Sequence, residues 1–508
     1  MSNSKEQLKH IIENLQKQQE SYNLEFKEAK SSLPNAFWET YSSFANTAGG
    51  YILLGIRENP WEISGVKNPD KMLKDLCNLA NNKSMASYNL LENRNIQVHE
   101  LDGKQIISVY IPELPDNKKP LYLKGNPLNA YIRINEGDYK ISESDLKRFM
   151  RNGQPDQDSD LLDEYILEDL DMDSVLSFKN ILHARHPSKN YLAMDNLDFL
   201  QTIGAYQIDR RGRSRELKMT VACLLFFGKY NAIRQKFPHF HLEYLNHRNC
   251  QGKERWSDRV CTGDLEYAEL NIFSFFQLLR EKLRATINDK FELDQNSERK
   301  SSAELQEALR EALANMLIHA DYADGETDIK VTVEDLYYTF TNPGKMLVTA
   351  SQFFMGGVSH PRNNTLITFF RQMGISDRAG TGGSTLLNFA KLNKFRAPEI
   401  ETNLKHTILK LWIAAPLDSH PEFDDNEQRI YKFLHSSKHG GSVAELEEAT
   451  GLTKYQVRKI LSQFIEQGIV IQTGRARATR YYCTPSIIER ADFADKFRRS
   501  LLYQPEEK

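Results

Sequence analysis

Three side chains between Glu304 and Asp321 are of the types that hold a metal ion and a water molecule. Glu311, Asn315 and His319 follow one another at four-residue intervals, which aligns them along one edge of a helix. A carboxylate and an amide offer the oxygen ligands that Mg²⁺ prefers. A solvated helix edge is the alternative for this pattern taken alone.

The same stretch carries the apolar residues needed to position that edge. They recur at the 3.6-residue period of an α-helix and fill one broad arc. They are Leu305, Leu309, Ala312, Leu313, Met316 and Leu317. We therefore expect a helix with a buried apolar side, bordered by Glu311, Asn315 and His319 where it meets a cleft.

Downstream segments suggest a phosphate site. A β-branched stretch, Asp328 to Thr341, predicts a strand; Asn342-Pro343-Gly344 predicts a turn; and Gly374 to Gly383 is rich in glycine. Glycines allow backbone N–H groups to approach phosphates without obstruction by Cβ. Helix, strand, turn and glycine loop in this order predict a site for a nucleotide and Mg²⁺.

The segment from about 305 to 395 resembles the gyrase, histidine-kinase and mismatch-repair (GHKL) ATPase superfamily, and most closely a divergent branch found in bacterial transcriptional regulators. The resemblance rests on R-E-A-x-x-N-x-x-x-H-x-D-Y (Arg310 to Tyr322), on N-P-G, and on R-N at Arg362-Asn363. It implies ATP as the cofactor, with binding implied more directly than hydrolysis.

The resemblance also implies roles for single residues. Asn315 would ligate Mg²⁺ and Glu311 would activate a water. Asn342 stands where the superfamily has an aspartate that reads adenine, so the choice of nucleotide is less secure. The other residues expected around the nucleotide are His319, Gly344, Arg362, Gly380, Gly382 and Gly383.

The N-terminal part predicts a strand entry at 20–27, a helix from about Asn35 to Asn46, a Gly49-Gly50 turn and a buried strand, Tyr51 to Ile56. A helix from about Pro69 to Asn81, two strands and a helix from Ser142 to Met150 follow. With E-F-K, N-T-x-G-G-Y-I-L-L-G-I, S-G-V and Y-I-R in order, residues 20 to 150 resemble the Schlafen-type Alba-like domain. Members bind nucleic acid, and some cut RNA, notably transfer RNA, with a metal-dependent trio of acids.

Carried over by position, Glu20 and Glu25 match the first two acids, and Glu58 is the displaced third. Carboxylates of this kind hold Mg²⁺ or Mn²⁺ beside a scissile phosphate. Lys27 and Arg133 would then position the phosphate. The alternative is that Glu25 pairs with Lys27 or Arg133 inside a structural sheet, and that the domain binds without cutting.

The C-terminal part predicts a winged helix, with three helices followed by a basic hairpin. Capping boxes open the second helix at Ser442 and the third at Thr453. In a DNA reader the third helix faces the major groove and the hairpin contacts phosphates or the minor groove. The residues expected there are Lys454, Gln456, Arg458 and Lys459 on the helix, and Arg475, Arg477 and Arg480 on the hairpin. Protein docking is the alternative role.

Length, charge and cysteine spacing limit which of these functions are possible. The 508 residues exceed one core and carry a net charge of −3, so contact with nucleic acid must come from local patches. Five cysteines without C-x-x-C spacing, and the lack of a leader or a long apolar run, predict a cytoplasmic protein with no membrane contact and no cysteine-based zinc site. His239 and His241 alternate on a predicted strand with no third ligand in view, so no metal is expected there.

We therefore expect an α+β multidomain protein. Its domains resemble a Schlafen/Alba-like α/β domain, a GHKL-type α/β sandwich and a winged helix. The expected divisions are 1–19 (helix), 20–150, 151–300 (linker and connecting α/β region), 301–415, 424–485 and 486–508 (charged tail). The leading hypothesis is an ATP-binding effector that binds RNA or DNA, with cleavage left open, in antiphage defence. The alternative is a non-catalytic, ATP-responsive transcriptional regulator. The superfamily resemblance also favours a homo-oligomer.

Overall fold

The computed structural model describes residues 23–57, 62–101, 103–134, 137–154, 156–211, 215–250, 254–288, 298–358, 360–375, 380–437, 439–473 and 479–484. Four expected site residues, Glu20, Glu58, Arg475 and Arg477, lie outside the described residues, as do segments 1–19 and 486–508. The chain divides into two units. One consists of Met1–Gly153 with His420–Lys508, and the other of Gln154–Ser419.

A mixed four-stranded sheet is the centre of the N-terminal segment. The strands of this segment are β1 (Leu24–Lys27), β2 (Gly50–Leu54), β3 (Ile56–Arg57), β4 (Glu62–Ile63), β5 (Ile96–Leu101), β6 (Lys104–Ile111), β7 (Tyr131–Ile134) and β8 (Gly137–Lys140). The helices are α1 (Ala36–Asn46), α2 (Pro69–Asn81) and α3 (Glu143–Asn152). The sheet order is β1-β2-β6-β5, with β1 parallel to β2 and the other pairs antiparallel. Two further hairpins pair β3 with β4 and β7 with β8.

Helix α1 covers one face of this sheet with a largely aromatic surface. Phe37, Tyr41 and Phe44 are fully buried, and burial of each such side chain stabilises the fold by roughly 1.5–3 kcal/mol. The two glycines that follow the helix are required by packing. Gly49 has a φ of +70°, and a Cβ on Gly50 would lie 2.7 Å from the Phe44 ring. The chain can therefore turn from α1 into β2 directly against the aromatic core.

Residues 154–300 share a core with the residues that follow them. The elements are β9 (Leu161–Leu162), β10 (Tyr206–Ile208), β11 (Leu217–Thr220), α4 (Met172–Arg185), α5 (Asn196–Thr202), α6 (Val221–Phe227) and α7 (Tyr230–Lys236). The strands form a small sheet of order β10-β11-β9. The Phe178 ring centroid lies 5.7 Å from that of Phe226 on α6 and 6.4 Å from that of Phe369. The connecting region is thus packed on the C-terminal half of its own unit.

A six-stranded sheet organises the rest of that unit. Its elements are β12 (Leu242–Asn246), β13 (Asp258–Cys261), α8 (Ile272–Asn288), α9 (Glu298–His319), β14 (Ile329–Val333), β15 (Tyr337–Pro343), α10 (Ala350–Met355), α11 (Asn364–Gln372), α12 (Gly382–Leu392), β16 (Glu399–Thr402) and β17 (His406–Trp412). The order is β13-β12-β14-β15-β17-β16, and β12 runs parallel to β14. The sheet therefore takes in strands that precede residue 301, where the sequence placed the start of this domain.

The expected strand from Asp328 to Thr341 is instead a hairpin, β14 and β15. The Glu334 N–H donates to the carbonyl of Tyr337 at 2.9 Å, which closes the turn between the two strands. The polar pair Glu334-Asp335 interrupts the apolar alternation at this point. Val331 and Phe340 are both buried and face each other across the hairpin.

The C-terminal segment has three helices followed by a hairpin. They are α13 (Asp425–Ser436), α14 (Val443–Thr450), α15 (Lys454–Glu466), β18 (Val470–Thr473) and β19 (Arg480–Cys483), the two strands being antiparallel. Reciprocal capping boxes at Ser442 and Thr453 start α14 and α15, as the sequence predicts. The apolar residues of α15 are also buried, namely Val457, Ile460, Leu461 and Phe464.

The chain is thus an α+β multidomain protein with sheets of mixed strand orientation. Among the helices in the described ranges, none combines the length and the hydropathy needed to cross a bilayer.

Candidate functional site

The edge of α9 has the arrangement that its sequence predicts. Its apolar arc is buried from Leu305 to Leu317, whereas Glu311, Asn315 and His319 are each half-buried. The Asn315 side-chain amide donates to Glu311 Oε1 at 3.2 Å. Acid and amide therefore act as one polar unit on the border of a buried helix.

The start of α12 packs directly on this acid–amide pair. A Cβ added to Gly382 would lie 2.4 Å from Asn315 Nδ2 and 2.5 Å from Glu311 Oε1. Only glycine leaves room for the two polar groups beside the backbone here. The arrangement also brings the Glu311 carboxylate to a helix N-terminus, whose partial positive charge favours an anionic group.

Two neighbouring glycines have different packing roles. Gly380 has a φ of +61°, and a Cβ there would lie 2.6 Å from the carbonyl oxygen of Val358. A Cβ on Gly383 would lie 2.1 Å from the carbonyl oxygen of Phe353 on α10. Residues 376–379 of the predicted glycine loop lie outside the described residues. What the structure describes is the loop's end, packed closely on α9, α10 and the segment after α10.

His319, Arg362 and Gly344 gather at the other end of this edge, about 12 Å along the helix from Glu311. Arg362 donates from Nε to the carbonyl of His319 at 3.2 Å and from Nη2 to the carbonyl of Lys345 at 3.0 Å. A Cβ on Gly344 would lie 3.0 Å from Arg362 Nη2. Burial, with help from the Arg362 guanidinium, lowers the pKa of His319 to about 4. The imidazole is therefore neutral at pH 7.

The R-N pair has a clear local function in the fold. Asn363 donates from Nδ2 to the carbonyls of Ile318 and Ala320, at 2.8 and 2.9 Å. Together with Arg362, it satisfies carbonyl groups that the end of α9 leaves unpaired. Asn342, the expected adenine reader, is buried in β15 opposite Thr407, and its amide donates to the carbonyl of Pro343 at 3.2 Å.

A buried ion cluster occupies the N-terminal domain. Arg133 Nη2 lies 2.7 Å from Glu25 Oε2, and the side chains are only 1% and 5% exposed. Lys27 donates to the other Glu25 oxygen. Arg133 Nη1 lies 2.9 Å from Asp138 Oδ1. Burial acts against the Arg133 charge, but Glu25 and Asp138 outweigh it, and the pKa of Arg133 is raised.

Side chains of helix α1 complete this cluster. Thr40 donates to Asp138 Oδ2 at 2.6 Å, Ser43 donates to Oδ1, and the Arg133 guanidinium lies 5.2 Å from the centroid of the Phe44 ring. Both oxygens of Glu25 thus accept from a cationic side chain. The described geometry of Glu25 is that of an internal ion network.

Asp138 was missed from the sequence. It is paired directly with Arg133 in the β7–β8 hairpin. The signal was present, because the triplet N-E-G, of a composition typical of turns, separates two alternating runs, Y-I-R-I and D-Y-K. A hairpin prediction would have placed Asp138 opposite Arg133.

The C-terminal segment exposes basic side chains at the start of α15. Lys454, Arg458 and Lys459 are exposed, and Tyr455 is 77% exposed beside them. Arg480 differs from these three. It lies 2.9 Å from Glu445 Oε2 and donates to the carbonyls of His439 and Gly440, which ties β19 to the start of α14.

Three segments of the chain match known domain families. Residues 20–142 match the Schlafen AlbA_2 family, and residues 326–411 match a family described as the C-terminal region of a putative ATP-dependent DNA helicase RecG. Residues 147–243 match a domain of unknown function, DUF8451. The chain therefore contains a Schlafen AlbA_2 domain and a RecG C-terminal ATPase-like domain. Helix α9, with Glu311 and Asn315, precedes the latter match.

Two solved structures are similar to the chain. The DIP2311 protein of Corynebacterium diphtheriae is 13% identical over 91% of this chain and 95% of that chain, with a TM-score of 0.35. The N-terminal domain of a putative ATP-dependent DNA helicase RecG-related protein from Nitrosomonas europaea is 25% identical over 28% of this chain and 92% of that chain, with a TM-score of 0.20. No curated protein matches the chain.

Proposed function

We propose that the chain is a nucleic-acid-binding protein whose affinity for nucleic acid is controlled by ATP bound with Mg²⁺ in the 301–415 region. The observation that carries the proposal is the close approach of Gly382 to Glu311 and Asn315. Gly382 lies inside the ATPase-like match, and the other two residues lie on α9, which precedes that match. A side chain at residue 382 would fill the space between the backbone and the acid–amide pair. Backbone N–H groups at a helix start, an amide and a carboxylate fit a phosphate chain and its cation.

In this proposal each residue has a separate task. Asn315 holds Mg²⁺ through its side-chain oxygen, and the first N–H groups of α12 face the phosphates. Glu311 orients a water at the same place. Mg²⁺ supplies neutralisation of phosphate charge when it is bound. Gly344, Arg362 and His319 shape the other end of the site, and Asn342 accepts from the base.

The nucleic-acid contacts are proposed for the two terminal modules. The AlbA_2 match supports the N-terminal module, where Lys27 is the partly exposed cation of the ion cluster. Three helices and a hairpin, with Lys454, Arg458 and Lys459 exposed on the third helix, support a winged helix at 424–485. Nucleotide bound in the 301–415 region then changes the affinity of the two modules for nucleic acid.

We favour binding without cutting. Glu25, the one expected acid of the trio that the structure describes, is occupied by Lys27 and Arg133. This favours the alternative function, a nucleotide-responsive regulator, over a nuclease. An antiphage role rests only on the combination of domains, and its test is plaque formation by a panel of phages on cells with and without the gene.

The proposal is tested with purified full-length protein. Binding of a fluorescent ATP analogue is measured with and without Mg²⁺, and retardation of labelled transfer RNA, single-stranded DNA and duplex DNA is measured with and without ATP. We expect Mg²⁺-dependent nucleotide binding, lost in Asn315→Ala, and a nucleic-acid affinity that ATP changes in the wild type but not in that variant. No nucleotide binding, or equal retardation with and without ATP, would overturn the proposal.

Cleavage is scored in the same gels with Mg²⁺ or Mn²⁺ present. Intact strands with both wild type and Glu25→Ala support binding alone. Strand cleavage that disappears in Glu25→Ala, while the variant remains folded, would establish a nuclease and reject the preference stated above.

A further inference from the structure

Three potential metal ligands meet where β12 pairs with β13. Glu243 and Cys261 are directly opposite each other in the antiparallel register. His241 stands two residues before Glu243, so its side chain lies on the same face of the sheet. The pairing thus brings together an imidazole, a carboxylate and a thiol from two neighbouring strands.

The spacing of these groups suits a tetrahedral ion. One ligand atom from each of the three residues lies within 4.8 Å of the others, and His241 Nε2 is 3.7 Å from Cys261 Sγ. Typical Zn–N and Zn–S bonds place two such atoms about 3.5 Å apart at a tetrahedral angle. Cys261 is buried whereas His241 and Glu243 are half-buried, so an ion can reach the site from solvent.

The surrounding contacts orient the ligands as a metal site requires. The Thr262 hydroxyl is hydrogen-bonded to His241 Nδ1 at 3.1 Å, which leaves Nε2 to face Cys261. Ligating histidines almost always have their second nitrogen held in this way. Lys330 Nζ lies 3.2 Å from Glu243 Oε2, and Arg259 lies 3.5 Å from Oε1. A carboxylate has about four lone-pair sites, so Glu243 can accept from Lys330 and Arg259 and still offer a lone pair to an ion.

We propose that His241, Glu243 and Cys261 form a binding site for one Zn²⁺ ion. A thiolate, an imidazole and a carboxylate are the ligand set of this borderline ion and not of Mg²⁺. The sequence alone showed no third ligand near His241, whereas the structure places Glu243 and Cys261 beside it. His239 does not take part, since its ring packs against Gly325.

Binding couples to protonation. The thiolate is the form of Cys261 that binds a metal ion, so each ion bound releases one proton to solvent. The ion would join edge strand β13 to β12, so binding also stabilises that edge of the six-stranded sheet.

The experiment uses full-length protein treated with a chelator, dialysed and titrated with CoCl₂, followed by ZnCl₂. Cobalt bound to a thiolate gives a charge-transfer absorption in the near ultraviolet. We expect one Co²⁺ per chain with this absorption and its loss when Zn²⁺ displaces cobalt. Cys261→Ser should abolish the thiolate band. Thr262→Val, which releases the imidazole, should weaken zinc binding by about 10- to 100-fold.

Cys250→Ser is the matched control, because Cys250 is an exposed cysteine at the end of the same strand pair. It should retain the band and the affinity. Absence of the band in wild type, its survival in Cys261→Ser, or its loss in Cys250→Ser would each overturn the assignment. If Cys261→Ser does not fold, as judged by circular dichroism, Thr262→Val and His241→Gln decide: unchanged zinc affinity in both rejects the site.

Discussion

The carboxylate of Asp158 accepts a hydrogen bond from the backbone N–H of Leu366, with an Oδ2–N distance of 2.8 Å. The two residues are 208 positions apart, and Leu366 lies in the first turn of α11. An unpaired N–H at the start of this helix is thus satisfied from the connecting region. Asp158 is 1% exposed.

This bond predicts a dependence of stability on pH. Burial raises the pKa of Asp158 to about 7, from an ordinary value of 3.8, although backbone N–H groups of Leu366 and Thr365 oppose the shift. The folded state therefore holds this proton more tightly than the unfolded state. The free energy of unfolding gains a contribution that is fully present below pH 3.8 and is lost as pH rises through about 7. Asp158→Asn should remove this loss, which is on the order of 3 kcal/mol.

The check is urea unfolding at pH 5 and pH 8 for both proteins, since the other titrating groups are common to the two. Wild type should lose more unfolding free energy than the variant between these pH values. An equal loss would show that the Asp158 carboxyl does not titrate in this range.

Gly382→Ala should weaken nucleotide binding. The new methyl would lie 2.4 Å from Asn315 Nδ2 and 2.5 Å from Glu311 Oε1, so α12 or the acid–amide pair must move. We expect the affinity for Mg²⁺–ATP to fall at least about tenfold, measured by calorimetry. Lys391→Ala, at an exposed position near the far end of α12, is the control and should bind as wild type does. Unchanged affinity in Gly382→Ala would remove residue 382 from the site.

Glu25→Ala should destabilise the N-terminal domain, whatever its effect on nucleic acid. It removes the Arg133 partner at 2.7 Å and leaves a buried guanidinium with less compensation. Breaking a buried pair in this way costs about 3–5 kcal/mol. Hydrogen exchange of the β2 and β6 amides reports the loss.

Glu28→Ala is the matched control for this substitution. Glu28 pairs with Arg57 at 2.6 Å, but the two side chains are 42% and 35% exposed, so its removal should cost much less stability than removal of Glu25. Similar exchange rates in the two variants would mean that the Glu25 pair adds little to stability.

Lys454→Gln combined with Arg458→Gln should reduce the salt dependence of binding to DNA. Each phosphate contact contributes about 0.9 to the slope of log affinity against log salt concentration, so the slope should fall by about 2. Fluorescence anisotropy with a duplex at several salt concentrations measures it. Lys432→Gln on α13 alters an exposed lysine off α15 and should leave the slope unchanged. A slope identical in all three proteins would place the DNA contacts elsewhere.

Local signals were sufficient to predict α9, α14 and α15. Ser442 with Glu445 and Thr453 with Gln456 form the capping boxes that their spacing indicates. The half-buried line of Glu311, Asn315 and His319 follows directly from helical period. These features depend on residues three or four positions apart, and such short spacings can be identified in the sequence directly.

Relationships between distant segments were not predictable in the same way. The parallel pairing of Leu242 with Ile329 has no local signature, because any two apolar strands satisfy the same period. The meeting of Glu243 with Cys261 depends on strand register, which one residue of slippage would destroy. The cap from Asp158 onto α11 depends on the packing of a whole region.

The parallel pairing of β12 with β14 also limits how this protein can be divided. A fragment that starts at residue 301 would leave β14 with one side of its backbone unpaired, and exposed strand edges of this kind associate with other chains. We therefore expect the 301–415 region not to remain soluble when it is produced by itself. Gene fusions or truncations that preserve its solubility should carry residues 242–261 with it.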